Sequence, residues 1–161
     1  MKKLSSLRAA LIASVPAIAA DPSLLEVYVE RGGVRARPGS LSFEYAYTAS
    51  IFVRDFAGNP TDIHVPLLGW IGDNQPDLFE KGESRPFTFE SEILDADTID
   101  LLISVELTEL VRVSRVAGGL KVDYLDEPIA RDQFADVPVA TLLWQGLLDD
   151  ITGGPAGMVP A

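Results

Sequence analysis

The sequence predicts an α+β domain: an antiparallel sheet of long strands, helices packed on it, and an extended hairpin arm. Three observations carry this. Leu41, Phe43, Tyr45, Tyr47, Ala49, Ile51 and Val53 alternate with mostly small or polar residues, and Ile99, Leu101, Ile103, Val105 and Leu107 alternate with Asp100, Ser104, Glu106 and Thr108. Successive side chains of a strand point to opposite faces, so each stretch describes a long strand with one covered face. Two further stretches repeat apolar residues at helical spacing, Leu4, Leu7, Leu11, Val15, Ile18 and Ile63, Leu67, Trp70, Ile71, as helices lying on a sheet require.

In chain order, the first segment admits two readings. Lys2, Lys3, the apolar run 9–16 and Ala17-Ile18-Ala19 imitate a secretory signal cleaved after Ala19, which makes a secreted ligand-binding domain the rival hypothesis. The helical spacing, and Arg8 where a signal's apolar run should begin, describe a retained amphipathic helix instead. Leu24 to Glu30, before Gly32-Gly33, fits a helix end or a short strand. The first long strand is closed by Gly58-Asn59-Pro60, a strong turn signal. A helix follows to about Asn74, its regular part starting near His64 or Val65 so that Pro66 falls in the first turn. Residues 72–86, rich in Gly, Pro and charge, read as a mobile acidic loop whose Asp77 and Phe79 are candidate partner contacts. Strands then run over 87–94 and 99–113, and Gly118-Gly119 turns the chain into Leu120, Val122 and Tyr124 as a hairpin arm.

Composition narrows the function. With 161 residues, 47% of them hydrophobic, the chain suits one core burying about two-thirds of its unfolded surface. The absence of cysteine excludes disulfides, thiol catalysis and Cys-ligated zinc. A net charge of −11 repels a DNA backbone. No apolar run is long enough for a membrane helix.

The catalytic inventory is thin, so the sequence reads as a non-enzyme with no cofactor and no metal site. His64 is the single histidine, and at a helix start a structural role is favoured. The nucleophile-elbow, zincin, P-loop and dinucleotide motifs are missing. Asp95, Asp97 and Glu106 match part of a calcium loop, but Ile99 replaces an oxygen ligand and Asp100 stands where the turn needs Gly; a hairpin turn fits better. Arg31, Arg35 and Arg37, around Gly32-Gly33, read either as solvated loop charges or as contacts to phosphate or an acidic neighbour, and the acidity of the chain favours carboxylates of an adjacent subunit over DNA. Trp70 reads as core. Beyond Pro128 the composition shifts, dividing the chain into a domain of residues 1–128 and a C-terminal extension of residues 129–161. There Leu142, Trp144 and Leu147 form an apolar stretch suited to a subunit contact.

Several separated blocks resemble a known family. They are Ser6-Leu7-Arg8, Asp21-Pro22-x-Leu24-Leu25, Leu41-Ser42-Phe43-Glu44, Tyr47-Thr48, Val53-x-Asp55-Phe56, Asn74-Gln75-Pro76-Asp77, Phe87-Thr88-Phe89, Leu107-Thr108-Glu109 and Glu127-Pro128. In order and spacing they are similar to the tail completion protein R (GpR) family of temperate phages with contractile tails. The resemblance implies a retained N-terminal helix and a virion protein assembled in the bacterial cytoplasm. It further implies a ring, six copies to match the tail tube, at the head-proximal end. That ring would cap tube or sheath, stop polymerisation and meet a head-tail connector or neck protein, while phage DNA passes through unbound.

Overall fold

The two alternating stretches form the centre of one antiparallel sheet, as strands β2 (Phe43–Phe56) and β4 (Ile99–Val116) of the computed structural model, which describes residues 1–95 and 97–127. Their register sets Val53, Ile51, Ala49 and Tyr47 opposite Leu101, Ile103, Val105 and Leu107, so both apolar sets share one face. The order is β1 (Leu25–Ala36), β2, β4, β3 (Thr88–Ile93). The far flank of β4 is divided: β3 takes Ile99 to Ser104, and β5 (Gly119–Leu125) takes Leu110 to Val116. The β4 backbone from Val105 to Glu109 therefore meets neither strand.

Helices α1 (Lys2–Ser14), α2 (Pro16–Ala20) and α3 (Thr61–Asn74) cover the apolar face. Leu7, Leu11, Val15 and Ile18 are buried with Ile63, Leu67 and Ile71. Each such side chain contributes about 1.5–3 kcal/mol when fully buried. Cleavage after Ala19 would remove four of them, so the signal-like segment is part of the core. Trp70 is buried as expected, its indole N–H donating to Ser6 Oγ at 3.0 Å.

Past the helices the sheet continues as a blade built from the distal halves of β1, β2 and β4 with β5. On its helix-side face Val34, Leu120 and Val122 are 59%, 55% and 57% exposed. This is the hairpin arm expected from Gly118-Gly119, whose first glycine turns at φ +86°.

Four local expectations are corrected. The first helix is two pieces, because Pro16 cannot continue α1 and starts α2 instead. Of the two readings open for Leu24 to Glu30 the strand holds from Leu25, after a 3-10 turn over Pro22–Leu24, and β1 runs on through Gly32-Gly33, where a break was expected, past a register shift between Val29 and Arg31. A Cβ on Gly32 would stand 3.0 Å from Tyr47 Cβ, so that glycine permits close strand approach rather than a break. Helix α3 begins at Thr61, which puts Pro66 inside it at the cost of the bond to the Asp62 carbonyl. Residues 72–86 are not one mobile loop. Helix α3 fills their start, a 3-10 turn spans Pro76–Phe79, and Gln75 and Leu78 are buried.

Candidate functional site

Polar groups converge where β4 lacks a neighbouring strand. Glu109 occupies an inward position of β4 and is 3% exposed. Its carboxylate accepts the first amides of α1, Lys2 N at 2.8 Å and Lys3 N at 3.3 Å, serving as the cap that no α1 side chain provides. A negative charge there also complements the positive end of the helix dipole. The Tyr47 hydroxyl donates to the same carboxylate. Burial first, then the bond to Glu109 and its charge, push the Tyr47 hydroxyl far above its ordinary value, so it stays a donor.

Gln75, the residue ending α3, closes the gap in the sheet edge. Its Oε1 accepts Thr108 N at 3.1 Å, and its Nε2 donates to Thr108 Oγ1 at 3.0 Å and Asp77 Oδ1 at 2.6 Å. Lys3, 8% exposed, donates to Gln75 Oε1 at 2.7 Å and Glu127 Oε1 at 2.8 Å. A buried ammonium is tolerated only when paired and hydrogen-bonded in this way. Burial alone would raise the Asp77 carboxyl, but hydrogen bonds from Lys81 and Gln75 and the nearby Lys81 and Lys3 charges outweigh it and hold it below the usual range. The cluster fastens α1, α3 and β5's exit to the sheet.

The expected contact residues separate into distinct places. Arg31 and Arg35 stand on the exposed distal half of β1, with Arg37 just past its end. Arg35 pairs with Glu44 across the hairpin at 3.1 Å. Arg35 and Arg37, with Phe43, Leu110 and Arg112, line an open groove of about 570 Å³ on the blade, and Arg31 lies outside that lining. Asp77 belongs to the polar cluster and pairs with Lys81; Phe79 is 38% exposed beside Gly72. Leu142, Trp144, Leu147 and the 129–161 extension lie outside the described residues. At the acidic turn, Asp95 Oδ1 accepts the amides of Asp97 and Thr98, each at 2.8 Å, as the hairpin reading required. Those bonds hold its carboxyl below the ordinary range. His64 packs against Phe87 and Phe89, with ring centroids 5.3 and 4.8 Å away.

Among the described residues, no group of three or more His, Asp or Glu is placed to hold a metal ion, and no helix is long and apolar enough to cross a membrane. Glu109, Gln75 and Lys3 were missed as a unit. The available sign was Glu109 itself, a carboxylate at an odd position of β4 where the alternation calls for an apolar residue.

Among the described residues, the sheet carries exposed apolar side chains on its blade, and the buried polar cluster fastens the helices to the sheet. The family described as P2 phage tail completion protein R (GpR) matches residues 1–128, and the chain belongs to it. The tail completion protein R of Escherichia phage P2 is 38% identical over 131 residues, covering 80% of this chain and 84% of the relative. No solved structure matches. The blocks that carried the resemblance now have a physical meaning: Asn74-Gln75-Pro76-Asp77, Tyr47, Thr108-Glu109 and Glu127 all supply members of the polar cluster.

Proposed function

We propose that this protein acts in completing a phage tail, as a structural component of the virion tail that contacts other tail proteins. The observation that carries this is the family match over residues 1–128, the segment that contains every described element of the fold. In finer detail, we infer a ring, six copies to match the tube, at the head-proximal end of a contractile tail. It caps the last tube or sheath ring, stops polymerisation and offers a surface to the connector or neck. The mechanism is geometric: one face fits the growing end and the other refuses another tube subunit, which ends a heterologous, open-ended assembly. The net charge of −11 supports a lumen that DNA crosses without sticking. The domain of residues 1–128 is the tail-completion body. The extension, with Leu142, Trp144 and Leu147, reaches a neighbouring subunit or partner, and Asp77 and Phe79 mark a second contact.

The test is electron microscopy of lysates from a deletion of this gene. Tails of abnormal length, or tails without heads, both restored by the intact gene, are expected. Normal tails joined to heads in the deletion would remove the proposal.

A further inference from the structure

We propose that one copy adds to the next by sheet continuation, edge strand β3 of one pairing antiparallel with the distal half of β1 of its neighbour. This deepens the ring reading and rests on it. Among the described residues, both strands are bonded on one side only: β1 to β2 and β3 to β4. Neither contains proline, so each offers an open row of backbone donors and acceptors.

The faces match as well. Register places Arg31 and Arg35 opposite Thr48 and Glu44, on the face away from the helices, and Val34 opposite Tyr45 on the helix face. On β3, Glu90 and Glu92 stand opposite Leu102 and Asp100, again away from the helices, while Phe89 stands opposite Ile103 on the helix face. Joined in one sheet with helices on the same side, the two strands put arginines beside glutamates on one face and apolar side chains together on the other. In the register with Phe89 opposite Val34, Glu92 falls opposite Arg31, and Glu90 falls opposite Gly33 between Arg31 and Arg35. Opposite charges across strands stabilise a pair, and like charges oppose it. Phe89 is 53% and Val34 59% exposed. Among the described residues Glu90, Glu92 and Arg31 have no ion-pair partner within the chain. The blade half of β1 is exposed, with Val34 at 59%, so among the described residues it is free to lie beside β3, where His64 of α3 packs on Phe89. The contact uses two different surfaces, so it propagates head to tail, as a ring does.

The cysteine-free chain allows a direct test. Val34→Cys and Phe89→Cys proteins, mixed and oxidised, should give a disulfide dimer that neither gives alone. The double variant should give a ladder on a non-reducing gel, and adding Arg31→Glu should abolish it. A double variant without a ladder, or Val34→Cys linking to itself as a symmetric β1–β1 pair would, overturns the interface. Closed wild-type oligomers by native mass spectrometry without a 34–89 bond would sink this interface and leave the ring standing. A ladder together with normal tails in the deletion would keep the interface and remove the tail-completion role.

Discussion

At Glu109 one carboxylate serves two helix amides and a phenol in a buried site. We predict that Glu109→Ala lowers unfolding free energy by about 2–4 kcal/mol, since hydrogen bonds to charged groups contribute about 1.5–3 kcal/mol and orphaned partners add to the loss. Glu109→Gln should cost less. Urea unfolding of both variants checks the order, and equal stability would show that α1 is not held by this cap. His64 behaves differently. Burial lowers its basicity, and its Nε2 has no hydrogen-bond partner among the described residues. Its folded pKa lies below the unfolded value, so the unfolded chain takes up the proton first. Stability is then full above about pH 6.5 and is lost as pH falls through the window beneath. His64→Leu should flatten the decline in urea midpoint between pH 7.5 and 5.5, and His64→Gln should leave tail assembly intact. An unchanged decline in the leucine variant would mean that other groups set the slope.

Among the elements, α1 and α2 carry the sharpest expectation. Leu7, Leu11, Val15 and Ile18 together contribute about 6–12 kcal/mol at the usual value for buried side chains. A domain's whole stability is about 5–15 kcal/mol. A chain starting at Ala20 should therefore fail to fold, as circular dichroism and solubility would report; a soluble cooperative fold would return the segment to the signal reading. Gly32→Ala should destabilise by about 1–2 kcal/mol, because its Cβ would crowd Tyr47. Strands and helices were legible in the sequence because burial imposes their periods directly: β2 and β4 lie where the alternation runs, and α3 where Ile63, Leu67 and Trp70 recur. The polar cluster was not legible, because it joins Lys3, Gln75 and Glu109 from three elements, and local periodicity is silent about which ends meet. Pro66 misled for a related reason. Propensity says where a helix would rather begin, while the burial of Ile63 decides where this one does.

At the scale of the whole described domain, a buried core and an exposed blade stand side by side. The polar cluster fastens the helices to the sheet, whereas the blade carries exposed apolar side chains and, among the described residues, a β1 edge bonded on one side only. At this scale Trp144→Ala should leave thermal unfolding of the monomer nearly unchanged while weakening assembly, because an aromatic interface anchor is worth about 2 kcal/mol or more per contact and a ring repeats it at every joint. A large drop in monomer stability would place Trp144 in the fold instead. The central claim, that this chain completes a tail by closing its head-proximal end, is tested most directly by a cryo-electron-microscopy reconstruction of that end in finished particles. A closed ring of this five-stranded fold is expected between the last tube or sheath ring and the neck. The same fold found at the baseplate, or absent from finished tails, would contradict it.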